Sequence, residues 1–214
     1  MPNSPAVAPQ FASASHRDET AELGMWVFIA TEVLLFGGLL LAYFVYRHAH
    51  LQGFAAGSRH TEIVIGTANT AILLTSSFLV AWAVEIFAAE TRRLTAGLLA
   101  GAICLGLAFI VLKGIEYHGE YEEHLVPGID FRFTGDLANG VQLFFIFYFI
   151  ATAIHALHMI IGIGLLAVLA LLCRGAPSTR HRAALHSAAL YWHFVDIVWI
   201  FLFALIYLPG RSTS

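Results

Sequence analysis

Five long apolar runs constrain this chain more than any other feature of its sequence. They cover roughly residues 23–46, 62–88, 95–118, 140–173 and 186–208. Each is long enough to cross about 30 Å of hydrocarbon as a helix that rises about 1.5 Å per residue. Because lipid cannot hydrogen-bond to exposed backbone groups, all five must be helical. The runs therefore predict an all-α integral membrane protein built as a bundle of five transmembrane helices, the fourth of them long enough to tilt or protrude.

Composition supports a lipid environment and excludes several classes of function. Hydrophobic residues make up 59% of the 214 residues and charged residues 12%, which is about half the charged share of a soluble domain. The mean hydropathy is +0.77. No basic surface for nucleic acid is present. Because Cys104 and Cys173 both lie in apolar runs, neither a structural disulfide nor a zinc cluster is expected.

The chain divides into one membrane domain and two short polar ends. Residues 1–22 are rich in Pro, Ala and Ser and lack the basic start and apolar stretch of a signal peptide. We therefore expect a mobile tail over 1–22, a five-helix domain over 23–209 and a tail over 210–214.

The arginines between the spans indicate the orientation. With a cytoplasmic amino terminus, the inner segments hold six arginines (Arg17, Arg92, Arg93, Arg174, Arg180, Arg182) and the outer segments four (Arg47, Arg59, Arg132, Arg211). Positive residues favour the cytoplasmic side. The sequence thus predicts an amino terminus in the cytoplasm.

Glu32 is an ionisable residue inside the first span. It lies about nine residues, or roughly 14 Å, into that helix. A bare carboxylate at such depth costs several kcal/mol, so it must be neutral, paired or hydrated. Two interpretations remain open. Glu32 either handles protons and anchors a polar contact, or it is a protonated acid that hydrogen-bonds to a neighbouring helix.

Lys113 and Glu116 are three residues apart near the end of the third span. Residues at this spacing share a helix face and can form an ion pair. An internal pair lowers the cost of placing both charges in the membrane, so we interpret Lys113 as a structural partner of Glu116.

Histidines and an aspartate mark the last two spans. "TAIHALHMIIG" places His155 and His158 on one face of the fourth helix, and "YWHFVDIVW" places His193 and Asp196 on one face of the fifth. Such groups can bind a metal or relay protons. The chain lacks the repeated carboxylate–histidine motifs of a di-iron site. Hydrogen bonds between helices are the favoured interpretation, and neither a catalytic residue nor a metal site is predicted.

Five segments resemble successive helices of a known family, subunit III of the haem–copper terminal oxidases, in its five-helix bacterial form. They are "GMWVFIATEVLLFGG", "GTANTAILLTSS", "KGIEYHGEY", "FFIFYFIATAIHALHMIIGIG" and "YWHFVDIVWIFLFALIYLPG". The resemblance extends from Leu23 to Pro209, and "HALHMIIG" followed by "YWHFVDIVW" is its most specific part.

The resemblance implies an accessory subunit that has no redox centre of its own. Haem and copper would lie in partner subunits. This chain would contact catalytic subunit I directly, stabilise it and support proton uptake during dioxygen reduction coupled to proton pumping. Bound phospholipid is also implied, although its binding residues are not identified. Six residues match polar positions of the family: Glu32, Glu116, His155, His158, His193 and Asp196.

The number of helices bears on the lipid site and on localisation. The common mitochondrial form has seven helices, and this chain begins at the third; the lipid cleft of that form lies beside the first two. Five helices are typical of bacterial members, which implies a multi-pass protein of the bacterial inner membrane. The motifs leave open whether the electron donor is cytochrome c or quinol. A relative associated with nitric oxide reductase is also similar.

Two other classes of function remain as alternatives. A stand-alone haem or metal protein would use His155, His158 and His193. A transporter would use Glu32 and Asp196, but the repeat symmetry and broken helices common in transporters are not visible.

Overall fold

Five of the helices are long and apolar enough to cross a membrane. The structure, a computed structural model, describes residues 14–87, 92–173 and 179–211. The helices are α1 (Ala14–Ala49), α2 (Leu51–His60), α3 (Ile63–Glu85), α4 (Arg92–Glu122), α5 (Ala138–Leu172) and α6 (Thr179–Tyr207). The membrane-crossing segments are Leu23–Ala49, Ile63–Glu85, Arg92–Glu122, Ala138–Leu172 and Arg182–Tyr207. The predicted five-helix membrane bundle is confirmed, and the chain is a multi-pass membrane protein.

The first helix begins before the predicted span. Residues 1–13 of the expected tail lie outside the described residues, and from Ala14 onward the chain is helical. Once a helix has formed, each added residue contributes a further backbone hydrogen bond. Extension of α1 through a polar segment is therefore favourable without any apolar contact.

The helices differ strongly in how much of each the bundle covers. In the most apolar stretch of α6, 56% of the residues are buried inside the bundle, whereas in that of α1 only 11% are. Helix α6 contacts α1, α3 and α5, and α3 packs along α4. Helix α1 lies at the edge, against α5 and α6. The interior therefore forms around α4, α5 and α6.

Large aromatic side chains fill the centre of this interior. Phe109 on α4 meets Trp199 on α6 edge to face, with ring centroids 4.7 Å apart. Trp192, Phe144 and Tyr148 are also fully buried. Edge-to-face pairs of this kind add about 0.5–1.5 kcal/mol beyond the area they bury, so the aromatic residues fix the positions of the three central helices.

Helix α2, which the sequence analysis did not predict, is held by close contacts at both of its ends. A Cβ atom on Gly53 would lie 2.6 Å from the Cα of Gly140 on α5, so both positions need glycine. At the other end, Arg211 donates to the backbone oxygens of Ser58 at 3.2 Å and Thr61 at 2.7 Å. The predicted carboxyl-terminal tail is therefore attached to α2 through Arg211; residues 212–214 lie outside the described residues.

A short hairpin connects α4 to α5 outside the membrane. Strands β1 (Leu125–Val126) and β2 (Asp130–Phe131) are antiparallel and meet around Gly128, whose φ is 81°. Hydrogen bonding to His124, followed in weight by that to Arg132, lowers the pKa of the Asp130 carboxyl from its usual value. The charged form of Asp130 is thus favoured in the folded hairpin.

Candidate functional site: three polar clusters inside the bundle

The first cluster joins the peripheral helix α1 to α5, and we call it the Glu32–His158 pair. The His158 Nε2 atom lies 3.0 Å from a carboxylate oxygen of Glu32. Both side chains are largely buried, with 14% of Glu32 and 10% of His158 exposed. The structure thus gives Glu32 one partner, and that partner is one of the residues singled out in the fourth apolar run.

The other imidazole nitrogen fixes how this pair shares a proton. His158 Nδ1 lies 2.8 Å from the backbone oxygen of Ile154. A carbonyl oxygen only accepts hydrogen bonds, so Nδ1 must carry a proton. The Nε2–Glu32 contact therefore holds one proton, located either on the acid or on the imidazole. The hydrogen bond is preserved in both arrangements, as a neutral pair or as an ion pair.

The second cluster consists of four side chains joined by hydrogen bonds. The Lys113 ammonium donates to Glu116 at 2.9 Å, to the Tyr148 hydroxyl at 2.9 Å and to the Tyr207 hydroxyl at 3.1 Å. Tyr207 in turn donates to the second oxygen of Glu116 at 2.7 Å. We call these four residues the Lys113 network. They connect α4, α5 and α6, and the ion pair expected between Lys113 and Glu116 is formed.

The Lys113 network uses all the donors that an ammonium offers. An ammonium group has three N–H donors, and each finds an oxygen. Lys113 is 4% exposed and Glu116 is 2% exposed. A charge pair buried to this degree is tolerable only when its remaining hydrogen bonds are also made. The two tyrosines provide them.

His155 does not join His158 in a common site. Its Nε2 atom donates to the backbone oxygen of Val195 on α6 at 3.2 Å, and its Nδ1 atom is buried without a partner among the described residues. Phe109 and Trp199 pack against the ring. The two histidines are thus directed to different helices.

The third cluster is a row of hydrogen bonds between α3 and α6, which we call the α3–α6 seam. Trp199 donates to Thr70 at 3.1 Å and Trp192 donates to Ser76 at 3.2 Å. The Ser77 hydroxyl lies 2.6 Å from His193 Nδ1. Small hydroxyl residues commonly join membrane helices in this way.

Asp196 follows His193 on α6 but no hydrogen bond joins the two. It is 3% exposed, and neither of its oxygens makes a hydrogen bond of ordinary geometry among the described residues, although the Ser77 hydroxyl interacts with it. Buried Asn69 on α3 likewise lacks a side-chain partner there.

Sequence reasoning missed Tyr148 and Tyr207 as partners and Glu120 as a buried acid. The tyrosines gave no signal because Tyr is common at both ends of membrane helices. Glu120 lies just beyond the third apolar run, which ends near residue 118, yet it is 4% exposed. Its spacing offered a clue, since Glu116 and Glu120 are four residues apart and thus on one helix face.

The six predicted positions do not converge on one centre. Each imidazole is directed to a different partner, namely His155 to a backbone oxygen, His158 to Glu32 and His193 to Ser77. Within residues 14–87, 92–173 and 179–211, no group of three or more His, Cys, Asp or Glu is placed to hold a metal ion. What the clusters do chemically is join helices, and one of them shares a proton.

Comparisons with known proteins agree on one family. A family model described as cytochrome c oxidase subunit III matches residues 12–211. A cytochrome c oxidase subunit 3 from Thermostichus vulcanus is 34% identical over 88% of this chain and 87% of its own length. Proteins of the same name from Struthio camelus and Gadus morhua are 34% and 35% identical over 87% of this chain and 69% of theirs.

Proposed function

This chain belongs to the cytochrome c oxidase subunit III family, and we propose that it is a non-catalytic subunit of a haem–copper respiratory oxidase. In this role it contacts catalytic subunit I, stabilises it and supports proton uptake. Haem and copper belong to partner subunits. The observation that carries the proposal is the use of the family's polar residues: five of the six predicted positions bond to a neighbouring group inside the bundle.

The dispersal of the histidines supports this proposal over a stand-alone metal protein. Metal binding needs several ligands aimed at one point. His155, His158 and His193 instead contact three different groups. A transporter using Glu32 and Asp196 is likewise not supported, because Glu32 bonds to His158 and no hydrogen bond joins Glu32 to Asp196 in the described part of the chain.

The names of the relatives favour cytochrome c over quinol as the electron donor of the complex. All three relatives compared above are called cytochrome c oxidase subunit 3. A quinol oxidase subunit or a relative associated with nitric oxide reductase is not favoured by them.

Proton support would involve the Glu32–His158 pair. A single proton can move between the acid and Nε2 without loss of the hydrogen bond, because Nδ1 is held by Ile154. Such a pair can buffer or relay a proton near a proton-uptake route. Glu32→Gln removes the exchangeable acid and keeps the shape. We expect the oxidase containing Glu32→Gln to assemble but to show a shifted dependence of oxygen consumption on pH.

The orientation follows from the arginines. We place the amino terminus in the cytoplasm, in the inner membrane of a bacterium, and α2 and the hairpin on the outer side. Single cysteines at Ser4 and Ser214 test this. A membrane-impermeant maleimide added to whole cells should label position 214 and not position 4, and labelling of both from outside would contradict the orientation.

Co-purification tests the function directly. A tag on this chain, with extraction in mild detergent, should recover haem- and copper-containing chains that reduce oxygen. The chain separated from them should show no haem absorption and no stoichiometric copper, and its lipid extract should contain phospholipid. Recovery of the tagged chain with no oxidase subunit would overturn the proposal.

A further inference from the structure

A pocket at the outer end of α4 is lined mainly by acidic side chains. It has a volume of about 230 Å³ and lies between the start of α3 and the end of α4. Four carboxylates line it: Glu62, Glu116, Glu120 and Glu123. The remaining ionisable group is His60, whose Nδ1 atom is 3.9 Å from Glu123. Lys113 lies behind Glu116 and is not among the lining residues.

Glu120 is the residue that the bundle leaves incomplete. It is 4% exposed and it lines the pocket. Neither carboxylate oxygen makes a hydrogen bond of ordinary geometry among the described residues, although the Lys113 ammonium and the Tyr148 hydroxyl interact with it. Glu116, only one helical turn earlier, receives hydrogen bonds from both Lys113 and Tyr207. Of two buried acids on one face of α4, one is fully bonded and the other is directed into an open pocket.

The surroundings allow a group to enter from outside the bundle. Glu62, Ile115, Gly119 and Glu123 line the pocket and are exposed. A Cβ atom on Gly119 would meet nothing within 4 Å, so the wall beside Glu120 is open. A donor from a neighbouring molecule can therefore reach the Glu120 carboxylate.

The charge pattern distinguishes between possible occupants. A zwitterionic lipid brings its phosphate close to its ammonium, and that phosphate would face Glu62 and Glu123. A bare metal ion needs several converging ligands, and no such group is found in the described ranges. A basic side chain brings positive charge and three to five N–H donors without an accompanying anion. It is the occupant that the pocket fits best.

We propose that this pocket receives a lysine or arginine side chain from a neighbouring subunit, with Glu120 as its buried acceptor. The inference rests on the proposed membership of an oxidase complex. Glu62 and Glu123 at the rim would guide the basic group, and Glu120 would hold it once water is excluded. The contact would fix the outer end of α4 against the partner chain.

The test uses the complete complex, tagged on this chain. Glu120→Gln removes the buried acid, and Glu122→Gln is the control because Glu122 is 70% exposed on the same helix and outside the pocket. The purified complex is diluted at low and high NaCl, and the release of each subunit is followed. Removing one member of a buried charge pair weakens association by about 30-fold or more, so Glu120→Gln should release one partner chain at dilutions where wild type and Glu122→Gln remain intact.

Several outcomes decide the matter. Equal release in wild type, Glu120→Gln and Glu122→Gln overturns the proposal, as does an unchanged subunit composition with loss of co-purifying aminophospholipid. If Glu120→Gln does not accumulate, Glu123→Gln replaces it; this rim residue should increase the salt sensitivity of release, and an unchanged salt profile overturns the proposal. A wild-type chain that brings no oxidase subunit contradicts the proposed function instead, so the two failures are distinct.

Discussion

The Glu32–His158 pair and the Lys113 network place similar groups in very different surroundings. The pair is a single contact between α1 and α5, with both side chains slightly exposed. The network joins three helices by four hydrogen bonds around a lysine that is 4% exposed. Both contain a glutamate within a membrane-crossing helix, yet only Glu116 belongs to a network that joins three helices.

The difference shows that the effect of a buried glutamate on the fold depends on the groups that neighbouring helices place around it. Within the Lys113 network the charges are almost fully buried, so loss of one leaves the other uncompensated. In the Glu32–His158 pair the hydrogen bond is kept whether the shared proton lies on the acid or on the imidazole. The first arrangement therefore depends on both of its charges, whereas the second can exist as a neutral pair.

Removal of Lys113 should give the largest effect on folding. Lys113→Met leaves Glu116 without its cation, which we expect to cost about 3–5 kcal/mol of unfolding free energy. Glu116→Gln should cost more in the wild type than in the Lys113→Met background, because the two charges act together. Unfolding of the purified chain in detergent measures both. Glu122→Gln is the control, and equal costs of Glu116→Gln in the two backgrounds would show that the ion pair does not act as a unit.

Glu32→Leu should have an intermediate effect. It leaves His158 Nε2 without a partner, at a cost of about 1–3 kcal/mol, and it loosens α1, the helix with the least buried surface. Glu32→Gln should cost less, because its amide can still bond to Nε2. The ratio of this chain to subunit I in purified membranes, together with unfolding in detergent, checks both variants. A wild-type subunit ratio and wild-type unfolding in Glu32→Leu would show that Glu32 has no structural role.

The α3–α6 seam tests whether a hydrogen bond between neutral groups contributes less to stability than the charged contacts do. Ser77→Ala removes the hydroxyl bonded to His193, and hydrogen bonds of this kind contribute about 0.6 kcal/mol on average. We expect a loss near that value in unfolding experiments. Thr75→Ala is the matched control, because Thr75 bonds within its own helix to Ala71. A loss of unfolding free energy as large as that of Lys113→Met would contradict the expectation that charged contacts contribute more than neutral ones.

The hairpin provides the smallest expected effect and the only one governed by pH outside the membrane. The pKa of Asp130 is lowered in the fold, so its contribution to stability is present above the unfolded pKa and is lost as pH falls through the folded one. The difference in unfolding temperature between wild type and Asp130→Asn should therefore shrink as pH falls below about 4. Asp136→Asn, at an exposed position, should differ little from wild type. A difference independent of pH would contradict the role of Asp130.

The helices themselves were predictable because hydrocarbon allows few solutions. A run of about 20 apolar residues must satisfy its own backbone, and helix is the result. The link between Lys113 and Glu116 was predictable for a related reason, since three residues along a helix bring two side chains onto one face. The sequence also shows hydroxyl residues within the second apolar run, and three of them, Thr70, Ser76 and Ser77, make contacts with α6.

Only the tertiary structure decided which partner each polar residue found. His155 and His158 are three residues apart, yet one is directed to α6 and the other to α1, because α5 packs against both of those helices. Tyr148 and Tyr207 reach Lys113 from helices distant in sequence. Glu120 is buried because α4 continues beyond its predicted end. Helical periodicity specifies a face within one helix, whereas the packing of helices specifies what that face meets, and the second depends on contacts that no local pattern records.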